Sequence, residues 1–286
     1  MSLVLFNGEI VERFAVKIDF EDRGYQFGDG IYEVVRVYNG KPYLLTEHID
    51  RLYASAEKIM MQIPYEKSEL EQKLRTFLQQ SGAGDCNLYI QYTRGIAPRR
   101  HDFEINMTGN LIAYCLPGKS PVREMETGVK TVLAEDIRWL RCDIKSISLL
   151  GNVLLKQEAK KKGGFEAILH RGETVTEGSS SNIWIVKDGV LKTHPANQYI
   201  LNGITRQRII YLCDREDIDY QEVTFTVSDL FAAEEAFLTS TTAEVTPITL
   251  VDDTTIGTGE PGPVTRKLQQ LLREDIAQAC GTVSLS

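Results

Sequence analysis

The sequence predicts two mixed domains of helices and strands joined by a short linker. Short apolar strands alternate with amphipathic helical patterns along the 286 residues, without repeats or low-complexity tracts. Residues 117–121 read Pro-Gly-Lys-Ser-Pro, which is rich in turn-forming residues and free of core residues. We therefore expect a small α+β domain over residues 1–117, a linker at 118–121 and a larger α/β domain over 122–286.

In the first domain, two Asn-Gly pairs predict two hairpins, because both residue types tolerate the positive φ of a tight turn. Thr46 is a candidate helix N-cap, and Ser68 with Glu71 has the spacing of a capping box before a second helix. The apolar faces of these helices are Ile49, Leu52, Ala56 and Ile59, and Leu70, Leu74, Phe77 and Leu78. The predicted strands are residues 3–6, 9–11, 31–38, 42–45, 88–93 and 111–115.

The second domain is predicted to contain strands, several of them forming a meander, and three helices. The turn of the meander is placed at Asp188-Gly189, and Gly163-Gly164 is expected to end the first of the helices. The predicted strands are residues 130–134, 165–170, 174–177, 182–186, 190–193 and 236–238. The predicted helices are residues 150–162, one that begins near Ile204, and 264–279.

The charge balance argues against nucleic acid as a partner. The chain has 32 basic and 40 acidic side chains, for a formal net charge of -8, and no long Lys/Arg cluster. A small substrate bound by a few local basic groups remains compatible with this balance.

Composition also indicates a soluble, cytoplasmic protein with no membrane partner. The five cysteines are odd in number and lack zinc-ligand or redox-motif spacing, which favours reduced thiols. The N-terminal segment has neither the basic flank nor the apolar length of a signal peptide, and no stretch has membrane-spanning length.

Lys145 is the first residue that could carry chemistry. Most lysines are solvated surface charges, but Lys145 lies between a predicted strand and a helix, where apolar and polar residues alternate. A lysine amine can form an imine with an aldehyde once burial or charge frees its lone pair.

Glu177 begins a small-residue loop, Gly-Ser-Ser-Ser-Asn, between two predicted strands. Turn propensity alone favours a flexible polar turn. A carboxylate at a strand end could equally present an acid to a ligand, for example to a pyridinium nitrogen.

Two segments could hold a phosphate. Gly203 precedes the predicted helix that begins at Ile204 and Thr205, so backbone N–H groups there are available to an anion or simply to a helix cap. Ser240 and Thr241 follow a predicted strand and offer hydroxyls and amides to a phosphate. The alternative is that they form an ordinary strand-to-loop connection with no ligand.

Four residues of the first domain could recognise an acidic group. Arg51 on its amphipathic helix is by default a salt-bridged surface arginine, and Tyr32 at a strand start is more often packed than catalytic. Arg99 and His101 share a loop and suit a carboxylate. The glycines around residue 30 do not form a dinucleotide fingerprint, and the four histidines show no metal-ligand spacing.

Together these groups suit pyridoxal phosphate with an amino acid better than other common ligands, and at this point the chain resembles a known family. It is similar to the fold-type IV pyridoxal phosphate enzymes, and within them to the D-amino acid aminotransferases. The resemblance covers nearly the whole chain. The motifs that carry it are residues 22–30, 47–52, 93–95, 98–101, 139–146, 176–182, 203–206 and 239–244.

The resemblance implies a homodimer with a small α+β domain, a larger pseudo-barrel domain and the cofactor between them. It implies that Lys145 holds pyridoxal 5'-phosphate covalently and acts as the catalytic base, while Glu177 pairs with the pyridine nitrogen. The residues implied for the phosphate are Arg51, Ile204, Thr205 and Thr241, with Ser240 as a helper. Leu201 would lie against the ring, with Ser179 to Ser181 along the same loop. The residues implied for the substrate carboxylate are Tyr32, Arg99 and His101, the last two from the partner subunit.

Within the family, the Arg-x-His pair at 99–101 favours the D-specific enzyme over the branched-chain L-amino acid aminotransferases. The resemblance then implies transamination between D-alanine and 2-oxoglutarate, giving pyruvate and D-glutamate. The same scaffold also hosts branched-chain L-amino acid aminotransferases and aminodeoxychorismate lyases. A non-catalytic binding protein that retains the fold is the alternative from a different class.

Overall fold

The computed structural model describes residues 2–282 and divides the chain into two compact units. Unit 1 contains the chain up to Lys119, together with Ile144–Leu149 and the end of the last helix. Unit 2 contains Ser120–Asp143 and Leu150–Gln278. The division after Lys119 lies inside the predicted linker, and the short segment Ile144–Leu149 groups with unit 1 although it is distant in sequence. The boundaries 1–117, 118–121 and 122–286 stay a prediction.

Unit 1 is built on one antiparallel sheet of six strands, in the order β2-β1-β6-β5-β3-β4. Its strands are β1 (Leu3–Phe6), β2 (Glu9–Glu12), β3 (Gly30–Tyr38), β4 (Lys41–Pro42), β5 (Cys86–Thr93) and β6 (Leu111–Pro117). Its helices are α1 (Arg23–Phe27), α2 (Leu45–Lys58) and α3 (Lys67–Ser81), with a 3-10 turn at Arg13–Ala15.

The core of unit 1 lies between the sheet and helices α2 and α3. Ile49 and Leu52 of α2 and Leu74 and Phe77 of α3 are buried, as their helical spacing predicts. Ile31 and its alternating neighbours along β3 face the same core, because successive strand residues point to opposite faces.

Two predicted helix starts in unit 1 are wrong. Helix α2 begins at Leu45 after Leu44, whose φ is 53°, so residues 42–45 are not a full strand and Thr46 lies inside the helix. Helix α3 begins at Lys67 with Glu66 as an uncapped N-cap. The expected capping residue Glu71 accepts hydrogen bonds from Arg75 Nη2 (2.7 Å) and from Thr46 Oγ1 (3.3 Å) instead. These tertiary and helical partners replace the local cap.

Unit 2 is built on a mixed sheet of nine strands in the order β12-β11-β10-β13-β14-β7-β8-β9, with β15 paired to β14. Its strands are β7 (Val129–Glu135), β8 (Glu166–Arg171), β9 (Thr174–Gly178), β10 (Asn182–Lys187), β11 (Val190–Thr193), β12 (Tyr220–Glu222), β13 (Glu235–Ser240), β14 (Glu244–Val251) and β15 (Thr254–Thr255). Its helices are α4 (Val122–Thr127), α5 (Leu150–Lys161), α6 (Ile204–Arg215), α7 (Val227–Phe231) and α8 (Pro263–Cys280), whose last two residues group with unit 1.

The expected meander in unit 2 is interrupted. The β10–β11 hairpin turns at Asp188 and Gly189, with φ values of 54° and 72°, as predicted. Strands β9 and β10, however, lie at different positions in the sheet, and β10 pairs with β13. The chain leaves the ladder at the serine loop (Ser179, Ser180 and Ser181), where side-chain hydrogen bonds replace strand pairing.

No helix among residues 2–282 combines the length and apolar character needed to cross a membrane.

Candidate functional site

Lys145 is held in unit 1 by two backbone contacts. Its carbonyl accepts a hydrogen bond from the N–H of Tyr32 (3.0 Å), and its own N–H donates to Ser55 Oγ (3.2 Å). Strand β3 and helix α2 therefore fix the backbone of a residue that lies outside both. These two hydrogen bonds explain why the segment Ile144–Leu149 groups with unit 1.

The Lys145 amine lies against an aromatic face. Its Nζ is 4.3 Å from the centre of the Tyr32 ring, which is stacked in turn on Tyr89. Among residues 2–282, Lys145 forms no ion pair with a carboxylate. An amine that is half-buried, oriented by an aromatic ring and not neutralised by an acid suits bond formation with a ligand.

Arg51 is oriented by a buried carboxylate that sequence reasoning did not single out. Glu33 Oε1 accepts from Arg51 Nε (2.7 Å) and Glu33 Oε2 accepts from Arg51 Nη2 (2.8 Å), in a bidentate pair. Nδ1 of His48 lies 2.6 Å from the same Oε2. Arg51 and His48 are three residues apart on α2, so they reach Glu33 from one helix face.

Opposing electrostatic effects act on the Glu33 cluster. Burial by itself would raise the pKa of Glu33, but the charges of Arg51 and His48 lower it well below its usual range. Burial also lowers the pKa of His48, against the attraction of Glu33. A sequence signal existed for this cluster, because Glu33 occupies a core position of β3 in phase with Ile31 and Val35, where a charge requires partners.

Arg99 and His101 are exposed, and both contact Phe27 in unit 1. The Arg99 guanidinium lies 4.5 Å from the Phe27 ring centre, and the His101 ring meets that ring edge-on at 5.8 Å. Within the part of the chain that the structure describes, neither side chain forms a hydrogen bond or ring contact with Tyr32. Within residues 2–282 of one chain, Tyr32 therefore contacts Lys145, whereas Arg99 and His101 form no hydrogen bond or ring contact with Tyr32.

Glu177 lies at the end of β9 in unit 2 and is almost completely buried. Its Oε1 accepts from Arg138 Nη1 (2.7 Å), and its Oε2 accepts from the N–H of Leu201 (3.0 Å) and from Asn182 Nδ2 (3.1 Å). Burial raises the pKa of Glu177 to about 7, while Arg138 and the Leu201 N–H oppose that rise. A carboxyl group with such a pKa can exchange a proton near neutral pH.

Arg138 is fixed by a second carboxylate. Asp136 accepts from Arg138 Nε and Nη2, both at 2.9 Å, and also from Arg171 Nε at 3.1 Å. Asp136 and Arg138 are two residues apart just after β7, and the N–H of Arg138 also donates to Asp136 Oδ1 (3.1 Å), so the chain bends back on itself here. The four groups, Arg171, Asp136, Arg138 and Glu177, form a chain of alternating charges in which each buried charge is paired.

Asn182 connects Glu177 to the turn before α6. Besides Glu177, its Nδ2 donates to the carbonyl of Leu201 (2.8 Å). A side chain at Gly203 would approach Asn182 Oδ1 to 2.2 Å, so only glycine allows this close contact. Gly203 is the N-cap of α6 and makes no side-chain cap hydrogen bond. The first N–H groups of the helix, at Ile204 and Thr205, therefore remain available to an anion.

Ser240 and Thr241 follow Thr239, whose strand partner is Asn182. Asn182 on β10 pairs with Thr239 on β13, and Ser240, the last residue of β13, pairs with Glu244 of β14, so Thr241 is the first residue after the strand. Ser240 Oγ accepts from the N–H of Ala243 (3.0 Å), which shapes the turn. Unit 2 therefore brings Glu177, Leu201 and the start of α6, with Ile204 and Thr205, to Asn182, while Ser240 and Thr241 follow the residue that pairs with Asn182.

The serine loop is organised by a buried glutamate. The hydroxyls of Ser179, Ser180 and Ser181 all donate to the Glu166 carboxylate, the last two at 2.7 and 3.3 Å. Asn152 Nδ2 adds a hydrogen bond to the Ser179 carbonyl (2.7 Å). The loop is thus ordered, whereas its composition alone favours a flexible turn.

Sequence reasoning missed Arg138, Asp136, Glu33, His48 and Glu166 as parts of these clusters. Each makes at least one contact with a residue distant along the chain, such as Arg138 with Glu177, whose residue numbers differ by 39. Only Glu33 offered a local signal, because it is a charged residue at a core position of β3.

Comparison with known proteins gives a consistent result. The family model described as amino-transferase class IV matches residues 30–251. The chain is 48% identical over 273 residues to a D-alanine aminotransferase of Bacillus licheniformis, covering 96% of each chain. It is 49% identical over 288 residues to a D-alanine aminotransferase of Listeria monocytogenes, covering 99% of each.

A solved structure of similar shape is a branched-chain aminotransferase from the thermophilic archaeon Thermoproteus uzoniensis, determined with norvaline. Its TM-score is 0.89 at 26% identity, over 97% of each chain. A second branched-chain amino acid aminotransferase, solved with pyridoxamine 5'-phosphate, has a TM-score of 0.91 at 26% identity, over 97% of this chain and 95% of that one. Identity to the two D-alanine aminotransferases is thus nearly twice the identity to these structural neighbours.

Proposed function

This chain belongs to the amino-transferase class IV family, and from that membership we propose that it is a pyridoxal phosphate-dependent aminotransferase of D-amino acids. The reaction we propose is D-alanine with 2-oxoglutarate, giving pyruvate and D-glutamate. The observation that carries the choice of D-amino acids is the 48% and 49% identity to D-alanine aminotransferases over nearly the whole chain.

The residues present suit pyridoxal 5'-phosphate. The Lys145 amine has no carboxylate partner among residues 2–282 and could bond an aldehyde. The uncapped start of α6 suits a phosphate, and the buried Glu177 suits a ring nitrogen. We propose that Lys145 holds the cofactor and that Glu177 pairs with its ring nitrogen. For the phosphate we propose Arg51, Ile204, Thr205, Ser240 and Thr241, with Leu201 against the ring.

When bound, pyridoxal phosphate supplies an aldehyde carbon that bonds an amine and a ring that accepts electrons from a breaking bond. Lys145 Nζ is the group we assign to take the α-proton of the substrate, as a general base. Tyr32 limits the directions in which that amine can point, because its ring lies 4.3 Å away. Glu177, fixed by Arg138, Asn182 and Leu201, holds a negative charge or a proton at one position.

The choice of enantiomer is assigned to the residues that would bind the substrate carboxylate. Tyr32, Arg99 and His101 offer a phenol, a guanidinium and an imidazole. If the carboxylate is fixed on one side of the α-carbon, only one enantiomer presents its C–H to Lys145. Since Arg99 and His101 make no hydrogen bond or ring contact with Tyr32 within residues 2–282 of one chain, we propose that the partner subunit of a homodimer supplies them.

Two further proposals concern the assembly and its compartment. Exposed apolar side chains, among them Phe14, Phe20 and Tyr25, are consistent with a homodimer. Cys86, Cys115, Cys142 and Cys213 are buried thiols that form no disulfide within the described chain, which is consistent with the cytoplasm. Light scattering of the purified enzyme would test the dimer.

The test of the function is a coupled assay with 2-oxoglutarate as acceptor and D-alanine, L-alanine or L-leucine as donor. We expect pyruvate from D-alanine and no comparable turnover of either L-amino acid. Turnover of L-leucine alone would favour a branched-chain aminotransferase. A separate incubation with aminodeoxychorismate tests the lyase, which pyruvate formed from that compound alone would favour. A protein with no cofactor absorbance and no turnover would favour the non-catalytic alternative.

A further inference from the structure

Arg23 is a buried arginine at the start of α1 to which no role has yet been given. Only 3% of its surface is exposed, although arginine is rarely buried without a specific partner. Its guanidinium carries five N–H donors in a rigid plane, so its contacts show what it organises.

The guanidinium of Arg23 donates to three successive backbone carbonyls. Nη1 reaches the carbonyl of Arg100 at 2.6 Å and that of Asp102 at 3.4 Å, and Nη2 reaches the carbonyl of His101 at 3.3 Å. These carbonyls belong to the loop of residues 97–104, which has no helix or strand of its own. One side chain therefore supplies hydrogen bonds that regular structure would otherwise provide.

Arg23 also supports the side chains of this loop through Phe27. The two residues are four apart on α1, and the Arg23 guanidinium lies 4.7 Å from the Phe27 ring centre. Arg99 and His101 rest on that same ring, at 4.5 and 5.8 Å. Backbone and side chains of the loop are thus both placed relative to Arg23.

The position of Arg23 is itself fixed by a shared carboxylate. Asp29 Oδ2 accepts from Arg23 Nε (2.9 Å) and from Arg94 Nε (2.8 Å). Arg94 is anchored to the carbonyls of Ile59 and Met60, at 2.8 and 3.1 Å. The loop is therefore connected through Arg23, Asp29 and Arg94 to the residues that follow helix α2.

We propose that Arg23 is a positioning residue that sets the placement of Arg99 and His101, and through them the affinity for the substrate carboxylate and the preference for D-amino acids. The inference rests on the proposed function in taking Arg99 and His101 as the carboxylate-binding groups. Arg23 acts through the loop backbone and does not touch the substrate. Lysine cannot replace it, because a single ammonium cannot reach three carbonyls and Asp29 together.

The experiment uses the holoenzyme of the Arg23→Lys variant, with two readouts. Tryptic cleavage after Arg99 and Arg100, measured without substrate, is expected to accelerate about 10-fold as the loop loses the hydrogen bonds from Arg23 to its carbonyls. KM for D-alanine is expected to rise about 10-fold, with a smaller change in kcat and a lower D-over-L ratio, because the carboxylate-binding groups are misplaced. Cofactor affinity should stay at the wild-type value.

Two further variants keep the test decisive. Arg208→Gln removes a different arginine–carboxylate pair, with Asp275 in unit 2, and controls for a general loss of stability. It should change neither the rate of tryptic cleavage after Arg99 and Arg100 nor KM. Asp29→Asn replaces Arg23→Lys as the test variant if Arg23→Lys does not fold. It leaves Arg23 in place without its counter-charge and should give effects of the same kind but smaller.

Unchanged tryptic cleavage after Arg99 and Arg100 in Arg23→Lys would overturn the proposal, as would an unchanged KM alongside faster cleavage. A wild-type enzyme without D-alanine turnover would instead refute the proposed function. Since cleavage of the loop is measured without substrate, it tests the contacts of Arg23 in either case.

Discussion

Arg138 donates a hydrogen bond from Nη1 to Oε1 of Glu177 over 2.7 Å, and both side chains are almost completely buried. The arginine is fixed by Asp136, so its position does not depend on Glu177. A buried carboxyl group beside a fixed cation has a pKa set by two opposing effects, desolvation and attraction. In Glu177 desolvation is the larger, and the pKa is about 7.

This balance predicts how the stability of the apoprotein depends on pH. Because the folded-state pKa of Glu177 is raised from 4.5 to about 7, the folded state binds more protons than the unfolded chain between these values. Its contribution to the free energy of unfolding is therefore fully present below the unfolded pKa and is lost as pH rises through about 7. Denaturant unfolding of wild type and Glu177→Gln should differ by an amount that falls across this window.

Arg138→Leu extends the same test. Removing the cation should raise the pKa of Glu177 further and move the upper end of the window to higher pH. Arg138→Lys, which keeps the charge, is the control. A wild-type minus Glu177→Gln difference that is independent of pH would contradict the assignment.

Lys145→Ala should remove both turnover and the visible absorbance of protein-bound cofactor. The general base alone contributes about 10²- to 10⁴-fold to such rates, and loss of covalent attachment adds to this. Absorbance spectra and the D-alanine assay measure the two effects. Lys162→Ala, which removes an exposed amine paired with Glu158, should behave as wild type. Near-normal activity of Lys145→Ala would refute its role.

Arg99→Ala should weaken binding of the substrate carboxylate. A hydrogen bond to a charged group contributes about 1.5–3 kcal/mol, which corresponds to a rise in KM of roughly 10- to 150-fold. The ratio of kcat/KM for D-alanine over L-alanine should fall as well. Arg100→Ala removes an exposed neighbour paired with Asp102 and is the matched control. If both variants have the same KM, Arg99 does not bind the carboxylate.

Glu33→Gln should misplace Arg51 and lower the affinity of the apoenzyme for pyridoxal phosphate, measured by equilibrium dialysis. It leaves a buried cation without its partner, so we expect a loss of about 3 kcal/mol in the free energy of unfolding. Asp50→Asn, on the same helix but exposed, is the control. Wild-type affinity in Glu33→Gln would exclude this orienting role.

The same glutamate predicts acid sensitivity. Because the charges of Arg51 and His48 lower the folded-state pKa of Glu33 against its burial, its contribution to stability is present above the unfolded pKa. It is lost as pH falls towards the folded-state pKa. Acid unfolding of Glu33→Gln should therefore show a weaker dependence on pH than that of wild type.

The sequence by itself determined the elements whose signals are local. The Asn-Gly turns at residues 7–8 and 39–40, the buried stripe of α3 and the hairpin at Asp188-Gly189 follow from backbone preference and periodicity over a few residues. The motifs around Lys145 and Glu177 also predicted the family, because a motif is recognised by its residues and by their order along the chain.

Only the tertiary structure decided which side chains act together. Glu33 with Arg51, Arg138 with Glu177 and Arg23 with the 99–103 loop are pairs whose members lie 18, 39 and about 77 residues apart. Hydrogen bonds and ion pairs act over a few ångströms, and distance along the chain does not determine distance in space. The helix starts predicted from Thr46 and Ser68 are wrong by about one turn or less: α2 begins at Leu45 and α3 at Lys67, and Glu71 bonds Arg75 and Thr46 in place of the predicted cap.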